Sequence, residues 1–267
     1  MTGTARIGVV GGNGWLGSAM IAAALARNAI APGQLIVSSR SGNKGSLADV
    51  PLTWTQDNAE LARLTDIVVL SVGPAQFRDV HLDLSGKLVL SVMAGVSCDA
   101  IAARTQASRI IRSMPNAAAA IGQSFTPWFA TPAVTAVDKA QAQAFLAASG
   151  DAVEVPAEGH IDFCVGLSGS GAAFPALLAE AMIAEAVAQG IPRAFAARAA
   201  KGVVCGASQL FKGADAETGA IVKEMIDYRG TTAAALQAMI DNGFNAAVAA
   251  GLRAALKKAA SIASGNA

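Results

Sequence analysis

The stretch Ile7-Gly8-Val9-Val10-Gly11-Gly12-Asn13-Gly14-Trp15-Leu16-Gly17 decides the fold of this chain. Its apolar first half predicts a strand that ends at Gly12, and the alanine-rich segment from Ser18 to Ala26 predicts a helix. Between them, glycines fit the G-x-G-x-x-G spacing of a dinucleotide-binding loop. Such a loop binds a pyrophosphate through backbone N–H groups and the positive end of the helix dipole. The alternative is a glycine-rich turn that binds nothing.

The second predicted strand, Leu35-Ile36-Val37-Ser38, indicates which dinucleotide binds. In dinucleotide-binding folds the end of this strand meets the adenosine ribose, where an acidic side chain bonds the 2′-hydroxyl of NAD. Here the strand is followed by Ser39, Arg40 and Ser41, with no carboxylate. Hydroxyls and a guanidinium suit a 2′-phosphate. The sequence therefore favours NADP(H), unless Arg40 is only an exposed loop residue.

Composition and charge limit the class of protein. A chain of 267 residues is long enough for one or two domains with a sizeable core. The formal net charge of +1, with only 15% charged residues, argues against nucleic acid or an anionic membrane as the main partner. The mean hydropathy is high, at +0.45, but the most apolar stretch, Ala172 to Ile191, carries Glu180 and Glu185. We therefore expect no membrane span, and instead buried helices in a subunit interface.

Cysteine and histidine usage predicts a reducing compartment and no metal site. Cys98, Cys164 and Cys205 are odd in number and far apart, which predicts buried apolar thiols rather than disulfides. The chain has only His81 and His160, so we expect no bound metal. Its N-terminus has no basic region followed by an apolar core, and a cytoplasmic protein is therefore expected.

Strand and helix signals alternate through the first half of the chain. Near-continuous apolar runs at Asp66–Val72, Leu88–Val92 and Arg109–Arg112 are typical of strands buried on both faces of a parallel sheet. A helix from Asp138 to Ala148 and a strand from Ala152 to Val155 complete the pattern. The fold class is therefore predicted as α/β, with a doubly wound, Rossmann-type domain over residues 1–156.

Strand signals are absent after Pro156, so residues 157–267 are predicted to form an all-α domain. Its helical segments are too apolar to stand alone, which predicts a homodimer or a higher homo-oligomer. The predicted helices run from Leu167 to Gln189, Arg193 to Phe211, Glu217 to Ile226, Thr231 to Asp241 and Phe244 to Ile262.

Several short motifs together resemble the pyrroline-5-carboxylate reductase family over nearly the whole chain. The more specific ones are Met114-Pro115-Asn116 and Ser168-Gly169-Ser170-Gly171. The others, beside the glycine loop and Ser39-Arg40-Ser41, are Val72-Gly73-Pro74, Ala94-Gly95-Val96-Ser97, Arg112-Ser113 and Gly230-Thr231-Thr232. The resemblance implies NADPH-dependent reduction of the cyclic imine 1-pyrroline-5-carboxylate to L-proline. It also implies a helical C-terminal dimerisation domain, with active sites between subunits.

The resemblance further implies which residues act. Gly230, Thr231 and Thr232 open a helix whose free N–H groups suit the substrate carboxylate, and Thr232 is placed to bond the ring nitrogen. Ser170 and Asp215 match family positions near the site. The alternative is that Thr231 only caps a helix and that the Ser168–Gly171 motif only caps and packs one. The residues assigned to the cofactor are Gly12, Asn13, Gly14, Trp15, Leu16, Gly17, Ser39, Arg40, Ser41, Asn58, Val72, Gly73, Pro74, Ala94, Gly95, Met114, Pro115 and Asn116.

Departures from the family pattern leave the substrate open. Gly73 stands where the family usually has Lys, and Ala172-Ala173-Phe174 stands where it has Pro followed by Ala-Tyr. The substrate loop, usually S-P-G-G-T-T, begins Asp227-Tyr228-Arg229. Arg229 contacts a carboxylate, or excludes the usual substrate by its bulk, or pairs with Asp227. A reductase of a related cyclic imino acid and a non-catalytic NADP-binding sensor are the alternatives.

A different class of oxidoreductase is disfavoured by one missing residue. A β-hydroxyacid dehydrogenase shares the glycine loop and a helical second half. It needs a catalytic lysine on the long helix that follows the second glycine-rich motif. Residues Ala172 to Gln189 contain no lysine.

Overall fold

The structure is a computed structural model that describes residues 5–212 and 217–264. The chain forms two compact units. The first unit takes in the described residues up to Ala172 and from Ala254 onward, and the second takes in Ala173–Arg253.

The centre of the first unit is an eight-stranded sheet. The strands are β1 (Ile7–Val10), β2 (Leu35–Ser38), β3 (Thr53–Thr55), β4 (Ile67–Leu70), β5 (Leu88–Ser91), β6 (Arg109–Ser113), β7 (Ser124–Ala130) and β8 (Gly150–Glu154). Their order across the sheet is β3-β2-β1-β4-β5-β6-β7-β8. All neighbours are parallel except β6 and β7. The order reverses between β1 and β4, the place where dinucleotides bind in doubly wound folds.

Helices cover both faces of this sheet, which is why its central strands are apolar throughout. Successive side chains of a strand point to opposite faces. Accordingly Val69 of β4 belongs to one apolar cluster, while Val68 and Leu70 belong to another. The helices that begin in this unit are α1 (Trp15–Ala26), α2 (Asn58–Leu64), α3 (Pro74–Phe77), α4 (Cys98–Thr105), α5 (Ala136–Ala147) and α6 (Glu158–Cys164).

The predicted fold class, an α/β domain followed by an all-α segment, is confirmed. The predicted strands are present, with ends shifted by one or two residues. One pair departs from the parallel pattern, because β7 runs antiparallel to β6. Strand β7 contains Pro127, a residue that argues against a strand in a sequence.

The second unit consists of helices with a very small core. After α6 the helical path continues as α7 (Phe174–Ala188), α8 (Arg193–Ala207), α9 (Thr218–Asp227), α10 (Thr231–Asp241) and α11 (Phe244–Ser264). Its buried cluster consists of Ile183, Ala196 and Ala200. Many larger apolar side chains remain exposed, among them Leu177, Met182, Phe195, Val203, Val222, Met225 and Met239. The unit therefore presents apolar faces that a single chain leaves uncovered.

One prediction about the exposed helices is wrong. Cys205, predicted to be buried, is exposed, because it lies on α8 where the single chain supplies no covering surface, whereas Cys98 and Cys164 are buried. The helical stretch Glu158–Ala188, with 31 residues and a hydropathy of 1.5, is long and apolar enough to cross a membrane by length and composition. One such helix is weak evidence for a membrane protein, since an interface helix has the same composition.

Candidate active site

The loop after β1 has the geometry that a dinucleotide pyrophosphate requires. Gly11 adopts φ 75°, and the N–H of Gly14 donates to the carbonyl of Gly11 at 3.1 Å, which closes a tight turn. A Cβ on Gly12 would lie 2.5 Å from Cγ1 of Val37, and one on Gly17 would lie 2.9 Å from Oγ of Ser71. Only the turn carbonyl, at 3.3 Å, would meet a Cβ on Gly14, so this position faces open space at the start of α1.

A cavity of about 350 Å³ lies where β1, β2 and β4 end. It brings together five residues assigned to the cofactor from the sequence: Asn13, Arg40, Ser41, Asn58 and Val72. Gln76, Asp79 and Val80 also line it, and sequence reasoning missed them. Their place in the cavity could have been predicted, because the helix that follows a central strand begins at the same edge of the sheet as the glycine loop.

The polar groups of this cavity are arranged around the end of β2. The hydroxyl of Ser38 donates to Oδ1 of Asn58 at 2.6 Å, and the hydroxyls of Ser39 and Ser41 lie 3.4 Å apart. Arg40 is exposed and forms no hydrogen bond or ion pair with any residue that the structure describes. Its guanidinium is therefore available to an anion such as a phosphate.

Other residues assigned to the cofactor lie elsewhere around the same edge. Gly73 and Pro74 begin α3, and the N–H of Gly73 donates to Oε1 of Gln76 at 3.1 Å. Trp15 and Leu16 begin α1, but the Trp15 side chain is 66% exposed and lines a groove of about 720 Å³ along that helix. Trp15 is thus apart from the cavity at Arg40.

The segment after β5 lies beside the buried Arg112 side chain, which forms ion pairs with Glu158 and Asp162. Gly95 adopts φ 72° and lines a second cavity, of about 450 Å³, with Ser97, Arg112 and Asp162. Burial, with the Glu158 carboxylate next in importance, raises the pKa of the Cys98 thiol to about 12. The thiol is therefore protonated at neutral pH and is not a nucleophile.

The two most specific sequence motifs meet within the first unit. The side-chain amide of Asn116 donates to the carbonyl of Ser168 at 3.1 Å, and its oxygen accepts the N–H of Ala118 at 2.9 Å. Cε of Met114 lies 3.0 Å from where a Cβ on Gly169 would stand. The Asn116 amide nitrogen thus holds the second motif while its oxygen caps the following turn, and Gly169 packs closely against the end of the Met114 side chain.

The sequence predicted that the second motif, Ser168–Gly171, lies at the start of a regular helix. The structure differs. Residues Val165–Gly169 form a π-helical turn and Ser170–Ala173 a 3₁₀ turn before α7 begins. Such turns are frequent at functional sites. The residue that precedes α7 is Ala173, which provides no side-chain cap, so the alternative that Ser170 caps this helix is wrong.

The start of α10 carries unpartnered donors. Gly230 precedes the helix, no side chain caps it, and no acidic residue lies in its first turn. The alternative that Thr231 caps this helix is therefore wrong, since Thr231 is its first helical residue. Arg229 adopts φ 58°, a conformation that favours glycine. Asp227 forms an ion pair with Lys223, and no pairing of Asp227 with Arg229 is present among the described residues.

Asp215, assigned to the site by resemblance, lies outside the described residues. Among the residues that are described, no group of three or more His, Cys, Asp or Glu side chains could hold a metal ion.

Comparisons with known proteins identify the family. The pyrroline-5-carboxylate reductase of Synechocystis sp. is 32% identical over 259 residues, which are 95% of this chain and 96% of that protein. The Escherichia coli protein of the same name is 31% identical over 262 residues. The chain belongs to the pyrroline-5-carboxylate reductase family. The predicted resemblance is thereby confirmed.

Further matches support this family and its class of chemistry. A family model for pyrroline-5-carboxylate reductase dimerisation matches residues 158–262, and one for coenzyme F420-dependent NADP oxidoreductase matches residues 6–95. The structure of a pyrroline-5-carboxylate reductase from Coxiella burnetii superposes with a TM-score of 0.87 at 27% identity, over 97% of this chain and 99% of that one. The predicted class, an NAD(P)H-dependent oxidoreductase of this family, is confirmed.

Proposed function

We propose that this chain reduces 1-pyrroline-5-carboxylate to L-proline with NADPH, as a cytoplasmic enzyme of proline biosynthesis. The observation that carries the proposal is the contact of Asn116 with Ser168, which joins the two motifs most specific to the family. Relatives that cover 95% of this chain bear the name of this activity. We further propose that residues 1–156 bind the cofactor, whereas residues 157–267 bind the substrate and form the dimer.

The residues at the edge of the sheet fit NADPH. The open position at Gly14, with the N-terminus of α1, suits the pyrophosphate, and the unpaired Arg40 with Ser39 and Ser41 suits the 2′-phosphate. Gly95 and the Met114–Asn116 segment lie further along the same edge, after β5 and β6. When bound, NADPH supplies the hydride that adds to the imine carbon.

The start of α10 is proposed to hold the substrate. Free N–H groups at Gly230, Thr231 and Thr232, with the positive end of the helix dipole, attract the carboxylate. The hydroxyl of Thr232 donates to the ring nitrogen and orients it while the nitrogen gains its proton. Ser170 supplies a second hydroxyl, and Asp215 is kept as a candidate by resemblance alone.

A side-by-side rate assay tests this function. Oxidation of NADPH is measured with 1-pyrroline-5-carboxylate and with its six-membered homologue, for the wild type and for Thr232→Ala with Thr231→Ala as the matched control. We expect Thr232→Ala to lower kcat/KM by about 10²-fold with NADPH affinity unchanged. NADPH binding without turnover of either imine would indicate the non-catalytic sensor instead.

A related cyclic imino acid is the second candidate, and Arg229 favours it. This residue adds a cation that pairs with no described residue beside the proposed carboxylate site, in a conformation that an arginine adopts at a cost. A substrate that carries an additional anionic group would use this cation. Faster turnover of such a dicarboxylic imine than of 1-pyrroline-5-carboxylate would establish this reading.

A further inference from the structure

A buried arginine connects the sheet to the helix that precedes the second motif. The Arg112 side chain is 1% exposed at the end of β6. Its Nη1 donates to Oε1 of Glu158 at 3.0 Å, and its Nη2 donates to Oδ1 of Asp162 at 2.6 Å. The two acceptors are four residues apart and lie on one face of α6. One guanidinium therefore binds side chains on two successive turns of the same helix.

Glu158 extends this cluster to a third element. The same Oε1 atom accepts the N–H of Cys98 at 2.8 Å, at the first turn of α4. That turn directly follows the Ala94–Ser97 segment at the carboxyl edge of the sheet. The cluster thus ties α6 to the ends of β5 and β6 together, the two strands that flank this part of the proposed cofactor site.

The position of α6 determines where the second motif lies. The helix ends at Cys164 and passes without a loop into the π-helical turn Val165–Gly169. Ser168 donates its hydroxyl to the carbonyl of Cys164 at 3.1 Å and accepts the Asn116 amide with its own carbonyl. A rotation or a one-residue slip of α6 would carry Ser168 away from Asn116, because a helix turns by about 100° per residue.

Packing alone does not account for the cluster. Burying a guanidinium is unfavourable unless it is fully paired, yet Nε of Arg112 has no hydrogen-bond partner in the part of the chain that is described. The Asp162 side chain is 46% exposed beside the 450 Å³ cavity, so it contributes little apolar contact. What the planar guanidinium provides is direction, since its Nη1 and Nη2 donate to two carboxylates in only one arrangement.

We propose that Arg112 is a positioning residue: through Glu158 and Asp162 it sets the register of α6 and so places Ser168–Gly171 against Met114–Asn116. The inference rests on the proposed function, in which these two motifs serve substrate and cofactor. Loss of the ion pairs of Arg112 leaves the cofactor loop after β1 intact but displaces the Ser168–Gly171 motif.

The test uses conservative variants of the full chain. Asp162→Asn removes one charge of the cluster, and Arg112→Lys keeps the cation but loses the fork. Glu154→Gln is the matched control, because it breaks the exposed ion pair of Glu154 with Lys139 in the same unit. Three quantities are measured: NADPH affinity by fluorescence titration, kcat and KM for the imine, and amide hydrogen exchange of residues 165–171 relative to β7.

We expect Asp162→Asn and Arg112→Lys to speed exchange at residues 165–171 by about tenfold with β7 unchanged. In the same variants kcat/KM falls by roughly 10- to 100-fold while NADPH affinity stays within twofold. The control changes none of these. Unchanged exchange at residues 165–171, or faster exchange with unchanged kinetics, would overturn the positioning role. A wild type that turns over no imine overturns only the proposed function, since exchange still decides whether Arg112 positions the motif.

Discussion

At the scale of single residues, Arg229 combines a strained backbone with an unused charge. A non-glycine residue at φ 58° loses about 1–2 kcal/mol relative to an ordinary conformation. The expected local partner, Asp227, is engaged by Lys223. Arg229 directly follows the C-cap of α9, where a left-handed residue commonly ends a helix. The sequence identified Arg229 as a departure, but its conformation could not be read from residue types.

Arg229→Gly is expected to raise both the free energy of unfolding of the protein and its KM for the imine substrate. Glycine relieves the left-handed strain, a gain of about 1 kcal/mol after its own entropy cost. Loss of the guanidinium weakens the grip on the substrate carboxylate. Thermal unfolding and steady-state kinetics measure the two effects. Arg229→Ala keeps the strain and removes the charge, so it should raise KM alone. An unchanged KM in both variants would contradict a role in binding.

We expect Arg40 to determine which cofactor is preferred. Arg40→Ala should weaken NADPH binding by about 1.5–3 kcal/mol, the contribution of a charge-assisted hydrogen bond, and leave NADH binding nearly unchanged. Fluorescence titration with each nucleotide measures this. Arg63, on α2, provides the control substitution Arg63→Ala. Equal losses for NADPH and NADH would show that Arg40 does not contact the 2′-phosphate.

At the scale of elements, the sequence predicted what local patterns encode. Apolar runs located β1, β2, β4, β5 and β6, and the glycine spacing located the tight turn between β1 and α1. Strands β3 and β7 went unpredicted because one has three residues and the other contains Pro127. The ion cluster of Arg112 went unpredicted for a different reason. Its carboxylates lie 46 and 50 residues away, and only the tertiary fold brings them together.

Alanine substitutions at two glycines of the loop after β1 should have different effects, one on stability and the other on NADPH affinity. A methyl at Gly12 meets Val37 at 2.5 Å, so Gly12→Ala should destabilise the fold by about 1–3 kcal/mol. A methyl at Gly14 meets only a carbonyl at 3.3 Å, so Gly14→Ala should fold normally and lose NADPH affinity. Thermal unfolding and nucleotide titration distinguish them, with Gly33→Ala as a control whose Cβ meets nothing within 4 Å. Full NADPH affinity in Gly14→Ala would contradict this placement of the pyrophosphate.

At the scale of the whole molecule, the two units differ in how they are stabilised. The first has two extensive apolar clusters around its sheet. The second has a small core and exposes large apolar side chains on its helices, within a segment that matches the dimerisation model of the family. Alanine-rich composition predicted this apolarity, but the faces left uncovered depend on helix packing.

Sedimentation at micromolar concentration should therefore detect no monomer. Leu177 on α7 is 73% exposed, and Leu177→Glu should shift the protein toward monomer because it places a charge on the interface. Ile121, 72% exposed on the first unit, provides the control Ile121→Glu, which should leave assembly unchanged. A wild type that sediments as a well-folded active monomer would contradict the dimer.

The transfer of a labelled hydride tests the central claim most directly. The protein is incubated with 1-pyrroline-5-carboxylate and NADPH that carries deuterium at both C4 positions of the nicotinamide, and the product is analysed by mass spectrometry. We expect proline that carries one deuterium at the carbon that was part of the imine, in equal amount to the NADP⁺ formed. NADPH binding with no labelled proline would contradict it.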